Sequence, residues 1–223
     1  MLMSPVKAMD ETPSPKQLAR RALIVQAAVE TLKREGIAGC TVRAIAEATP
    51  FTKGTIHYYF NDVREIVNTA YLQLTDDYVA SVEGLAGQAP RPAGAFWRAV
   101  ASYLEGFRAH RGMGLLWFEY SSWAVRNGYG HGVASSVEAI RLMFARRLDA
   151  LDPPAGTVAD RLTRYLLGTV LELAVSDVAL GPVQADVAAL CGLRAPRRDQ
   201  LDDARAELCP LCRPGQSEVS PAI

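Results

Sequence analysis

Two threonines and a proline govern what the amino-terminal part of this chain can become. Thr41 and Thr52 each precede a short run with apolar patterning, and Pro50 lies between them. A threonine hydroxyl at a helix N-cap accepts a backbone N–H from the first turn. Proline ends a helix and biases the residue before it, here Thr49, away from helical backbone. Only two short helices fit this pattern, one from Thr41 through Ala48 and one over 53–59. Upstream, Leu18, Ala22, Val25, Val29 and Leu32 recur with the period of one helical face. Gly36, after Lys33-Arg34-Glu35, marks the end of that first helix. Downstream, Asp62 and Glu65 have capping-box spacing and open a long fourth helix reaching Leu85.

Beyond a Gly/Pro-rich linker over 84–94, the spacing predicts helices at 96–110, 113–127, 133–151, 157–180 and 183–191. Breaks fall at Gly112, 128–132, Pro153-Pro154 and Gly181-Pro182. A further short helix is predicted over 198–207, and a disordered tail from Pro210. No segment alternates with period two between hairpin turns, so the expected fold class is all-α. At 223 residues and 49 % hydrophobic, the chain has ample material for a core. No stretch approaches the roughly 18 apolar residues of a membrane span, and the first fifteen residues lack the apolar run of a secretory signal. A cytoplasmic protein with no membrane partner is the expectation.

The formal net charge is zero, with 24 basic and 24 acidic side chains, which argues against a nucleic-acid partner. The distribution argues otherwise. Residues 16–60 hold Lys16, Arg20, Arg21, Lys33, Arg34, Arg43 and Lys53 against Glu30, Glu35 and Glu47, an excess of four positive charges. A compact basic head thus precedes a mildly acidic body.

Three close helices, the last two short and joined tightly, describe a helix-turn-helix. Ile45, Phe51, Ile56 and Tyr59 supply its apolar wedges, and Ala46 is small where two helices cross. Lys53, Thr55, His57 and Tyr58 form the exposed remainder of the third helix, able to reach phosphates, base edges or a thymine methyl. Residues 41–60 (TVRAIAEATPFTKGTIHYYF) resemble the TetR family of bacterial repressors, whose pattern is approximately TVRxIAxxAGVSxGTxYxYF. The resemblance implies a three-helix head joined by the long fourth helix to a helical ligand-binding and dimerisation domain. It divides the chain into an arm (1–15), a DNA-binding domain (16–61), a ligand-binding and dimerisation domain (62–208) and a tail (209–223).

The resemblance also implies double-stranded DNA contacts. Thr41 and Arg43 would meet phosphate. Lys53, Gly54, Thr55, His57 and Tyr58 would face the major groove, with Tyr59 partly on the backbone and Thr52 also counted among the DNA-binding residues. For Tyr58, Tyr59 and Phe60 a second role, closing the small core, stands beside this one. Three positions depart from the family: Pro50 replaces a turn glycine, His57 replaces a common tyrosine, and Val63 replaces a phosphate-gripping lysine, with Arg64 next to it as a substitute.

One head gives too few contacts for a specific complex, so the expectation is a homodimer on a palindromic operator. Leu162, Tyr165, Leu166, Val170 and Leu173 line one side of the predicted 157–180 helix, and Val183 and Val187 continue on the next. This stripe is either the dimer interface or the subunit core. Aromatic residues concentrate between Phe96 and Trp123. Trp97, Phe107, Trp117, Phe118, Tyr120 and Trp123, with Glu119 and Glu172, are candidate contacts for a small apolar or aromatic effector. The alternative is that they simply pack the core. No cofactor is expected. No catalytic fingerprint appears, which leaves no sign of an enzyme. Cys209 and Cys212 form one CxxC, the seed of a metal- or redox-responsive alternative that lacks two further ligands.

Overall fold

In the computed structural model, residues 14–151 and 156–196 are described. The expected arm, the Pro153-Pro154 break, the 198–207 helix and the Cys209/Cys212 pair lie largely or wholly outside them. The described residues form nine α-helices and no strand.

Helix α1 (Pro15–Gly39) opens on a full capping box. Ser14 Oγ accepts the Gln17 N–H at 3.3 Å and Gln17 Oε1 accepts the Ser14 N–H at 2.7 Å. Gly36 interrupts it with φ 68° and ψ −169°, a combination essentially restricted to glycine. The expected stop is therefore a break followed by one further turn. Leu18 and Ala22, expected on the buried face, are exposed. The first turns of α1 lie at the surface, and burial begins at Ile24.

Helices α2 (Val42–Glu47) and α3 (Lys53–Tyr59) start where their threonines predict. Thr41 Oγ1 accepts the Ala44 N–H at 3.1 Å and Thr52 Oγ1 accepts the Thr55 N–H at 3.2 Å. Between them the chain is tied by the Ala48 N–H to the Ala44 carbonyl and by the Thr49 hydroxyl to the Ile45 carbonyl. Pro50 lies exposed just beyond these bonds.

Helix α4 (Val63–Gly87) is capped by Asp62, whose Oδ1 accepts the Glu65 N–H. The reciprocal half of the expected box is displaced by one residue, because Glu65 Oε2 takes the N–H of Asn61.

Helix α5 (Pro92–Ala109) starts four residues before the expected Phe96. Pro92 sits in its first turn, where a missing N–H costs nothing. The remaining helices are α6 (Arg111–Arg126), α7 (Gly130–Asp149), α8 (Gly156–Val175) and α9 (Leu180–Cys191). The break between the last two lies at 176–179. Gly181-Pro182, expected as the break, occupies the first turn of α9 for the same reason as Pro92.

Two apolar cores organise these helices. The body core joins α4, α5, α7, α8 and α9 around Phe96, Tyr103, Leu104, Phe144, Leu162 and Leu166. The second gathers Ile24, Ala28, Leu32, Ile45, Ile56 and Phe60 of the first three helices with Ile66, Tyr71 and Leu74 of α4, and with Leu116, Tyr120 and Ala124 of α6. The head therefore closes its core on two body helices.

Within the body core, Tyr103 is 1 % exposed and its hydroxyl has no partner among the described residues. An unpaired buried hydroxyl costs stability. Tyr103→Phe should leave the melting temperature unchanged or raise it, by an amount on the order of 1 kcal/mol in stability. A clear fall in thermal unfolding would show that the hydroxyl is satisfied.

Candidate nucleic-acid interface

Helix α3 buries only one side. Ile56 is wholly buried, as is Phe60 just past its end, while Lys53, Gly54, His57 and Tyr58 are exposed and Thr55 and Tyr59 are half-buried. Tyr58 is 68 % exposed and packs edge-on against Tyr59, ring centroids 5.1 Å apart. No hydrogen bond or ion pair engages Lys53 or His57 among the described residues. Thr41 and Thr52 are exposed, but their hydroxyls already serve as caps.

The pose of α3 depends on Arg21, which the sequence shows only as one more positive charge. Its guanidinium donates to the Tyr59 carbonyl at 2.7 Å and to Glu65 Oε1 at 2.9 Å, and lies 3.9 Å over the Phe60 ring. One side chain of α1 thus holds the C-terminal end of α3 and the first turn of α4. A cation on the last carbonyls of a helix is also favoured by the helix dipole.

Beside α3 lies a concave surface of about 620 Å³ lined by Gln17, Arg20, Thr52, Gly54, Thr55, Tyr58 and Tyr59. Gln17 and Arg20 come from α1 and are the site residues that sequence reasoning missed. The available signal was their spacing with Lys16 on the polar side of α1, opposite Val25 and Val29.

Ion pairing decides where the head's excess charge is expressed. Lys33 pairs with Glu30, Arg34 with Glu35, Arg43 with Glu47 and Arg21 with Glu65. Lys16, Arg20 and Lys53 have no carboxylate partner among the described residues. Arg20 lines the groove, and Lys16 and Lys53 adjoin residues that do. Arg43 and Arg64 are exposed and paired with Glu47 and Asp62. Exposed pairs of this kind are worth little, so both guanidinium groups remain free to exchange partners.

The aromatic residues proposed for an effector are divided between the two cores. Trp97 and Phe107 are buried in the body core, with Phe118 packed against it. Tyr120 is buried in the second core, and Trp117 and Trp123 pack on that one. Helix α6 borders both, so its adjacent Trp117 and Phe118, whose rings meet edge-on at 5.0 Å, pack on different cores. Glu119 does not join them: its Oε1 accepts the Ile37 N–H of α1 at 3.1 Å. Glu172 is exposed on α8.

The proposed dimer stripe belongs to the subunit itself. Leu162, Leu166, Val170, Leu173, Val183 and Val187 are all buried in the protomer's own core. Tyr165 is half-buried there, its hydroxyl donating to Asp186 Oδ2 at 2.8 Å. Periodicity marks a face as buried without saying what buries it. The outward face of α8 instead presents Arg161, Arg164, Gly168, Leu171, Glu172 and Val175.

The described cysteines are poor thiolates. Burial, with Glu35 adding a smaller effect, pushes the Cys40 thiol up to about 12, and burial pushes Cys191 up to about 11. No group of three or more His, Cys, Asp and Glu side chains among the described residues is placed to hold a metal ion. No helix among them is long and apolar enough to cross a membrane.

Comparison with known proteins agrees with this geometry. The profile of the bacterial regulatory proteins of the tetR family matches residues 24–70, which span most of α1, all of α2 and α3, and the start of α4. No curated protein matches by sequence. Among solved structures, the chain is similar to SCO7518 of Streptomyces coelicolor A3(2), assigned as a transcriptional regulator, at 21 % identity and a TM-score of 0.64, covering 77 % of this chain and 98 % of that one. It is also similar to a TetR-like transcriptional regulator of a Rhodococcus species (17 % identity, TM-score 0.54, 82 % and 97 % covered). A third likeness is to the fatty acid degradation regulator FadR of Bacillus halodurans (15 % identity, TM-score 0.52, 83 % and 100 % covered). The helix-turn-helix segment thus matches the model of the tetR family of bacterial regulatory proteins over residues 24–70, and the all-helical body that carries it has the fold of these solved structures.

Proposed function

We propose that this transcriptional regulator is a homodimeric repressor that holds a palindromic operator and releases it when a small, largely apolar or aromatic effector enters the body. One observation carries the DNA reading: after ion pairing, the head's unpaired cations Lys16, Arg20 and Lys53 stand at or beside the groove bordered by α3. Arg20 and Lys53 grip phosphates on either side of the groove, and Thr55, His57 and Tyr58 reach base edges.

Few phosphate contacts per head make a single head weak, which supports the two-headed reading. Support for the interface comes from the outward face of α8, where Leu171 is 48 % and Val175 68 % exposed. Ala185 and Ala189 are exposed on α9, which packs beside α8. Small and apolar outward positions on two adjacent helices suit a two-fold four-helix contact. Support for the effector comes from Tyr103 Oη and Ser102 Oγ, buried hydroxyls of the body with no described partner. A mostly apolar ligand with one hydrogen-bond acceptor would satisfy such a group.

A palindrome selected from a random duplex library supplies the probe. Lys53→Ala and Arg20→Ala should each weaken binding about tenfold and each lower the salt dependence by about one phosphate contact. Wild-type affinity in both variants would refute the placement of the interface. Leu171→Glu combined with Val175→Glu should shift the protein from dimer to monomer in sedimentation velocity. A variant that remains dimeric would exclude the outward face of α8 as the contact.

A further inference from the structure

Glu119, placed by its aromatic neighbours among effector contacts, does something else in the fold. It projects from the middle of α6, and its carboxylate reaches across to α1 at the Gly36 break. Oε1 accepts the Ile37 N–H at 3.1 Å. Oε2 lies against the bare Cα of Gly36, since a Cβ built there would come within 2.8 Å of it. The backbone of Gly36 is closed to other residues, so the break and the carboxylate that fits over it are matched. An ionised acceptor on a backbone N–H at the start of a helical turn makes a charge-assisted bond, stronger than a neutral one.

The other end of α6 is fixed to α8. Gly114 brings the two backbones close, because a Cβ on it would lie 3.1 Å from the Ala174 Cβ and 3.5 Å from the Val170 carbonyl oxygen. Arg111, in the first turn of α6, pairs with Asp177 just beyond α8. Helix α6 therefore runs from the helix whose outward face is proposed for the dimer to the helix that carries Arg20 and Arg21. Leu116 and Tyr120 bury their side chains in the head's core on either side of the Glu119 contact.

We propose that Glu119 is a positioning residue: through its bond to Ile37 it sets the pose of the DNA-binding head from α6 directly, in parallel with the covalent route along α4. The proposal rests on the reading of the head as a DNA-binding element. It makes the spacing of two heads in a dimer depend on α6, so that a displacement of α6 relative to α8 is felt at α1 without passing through α4. Glutamine keeps the acceptor at this position, whereas alanine removes it.

The test uses the full chain as wild type, Glu119→Ala, Glu119→Gln and Lys53→Ala. Each is assayed for dimer mass, affinity for the selected palindrome, and hydrogen exchange of the segment containing Ile37. Glu119→Ala should remain dimeric, exchange faster at Ile37 and bind the palindrome about fivefold more weakly. Glu119→Gln should restore both exchange and affinity to near wild type. Unchanged exchange at Ile37 in Glu119→Ala overturns the proposal whatever the DNA result. So does wild-type affinity in Glu119→Ala when Lys53→Ala has lost binding. Should Lys53→Ala also bind as wild type, the reading of α3 as the recognition helix fails instead, and exchange alone decides the role of Glu119.

Discussion

The packing of Tyr120 against α4 is the contact on which the rest of this structure depends. Its ring stacks on Tyr71 with centroids 3.6 Å apart and planes 8° from parallel. Its hydroxyl donates to Asn68 Oδ1 at 2.8 Å in a buried setting. Burial pushes that hydroxyl up to about 12, so it keeps its proton, and the bond, throughout the physiological range. A segment the size of the head buries too little apolar surface to be secure alone; below roughly 70–80 residues a single core rarely supplies more than about 3–5 kcal/mol. The head solves this by closing Ile24, Ala28 and Leu32 against Leu116, Tyr120 and Ala124. The core continues through residue 61, where the sequence places a boundary, into α4 and α6.

The same economy governs charge. Within a chain of zero net charge, the head presents its free cations at one place by neutralising its others locally. Each glutamate of the head pairs with a basic residue close in sequence, and Glu65 from α4 takes Arg21. Exposed pairs at such spacing add little stability, but they confine the unpaired positive charge to the ends of α1 and α3 that flank the groove. Arg21 shows why counting charges misleads: its guanidinium is engaged by a carbonyl, a carboxylate and an aromatic face, and its work is to hold α3.

What was legible in the sequence was what depends on near neighbours. The caps at Thr41, Thr52 and Asp62 bond to backbone three residues on, so their spacing announces them. The exposed set on α3 follows from Ile56 and Phe60 being the apolar anchors. What was not legible depends on which surface meets which. Leu162, Leu166 and Val170 announce a buried face with equal clarity whether a second subunit or their own α5 covers it. Trp117 and Phe118 are adjacent in sequence and serve different cores, because adjacent helical positions point about 100° apart. Glu119 bonds to a residue 82 positions away, and no local pattern encodes that. Pro92 and Pro182 were read as breakers because a proline in the first turn and a proline between helices look alike until the N–H partners are known.

Two attachments constrain how the head can move. A head carried by α4 alone could swing about the start of that helix, with Asp62 and Asn61 as the pivot. Here α1 is also packed along α6, and α6 is held close to α8 at Gly114. Rotation about α4 would slide α1 across Leu116 and Tyr120, and interiors packed to this density resist continuous sliding. The permitted motions are those in which α4 and α6 shift together, or in which the α1–α6 seam steps to a second packing. Either way the body is joined to the head through a pair of helices rather than a single lever. The break at Gly36 is where one of them, α6, meets the backbone of α1 through the Glu119 carboxylate.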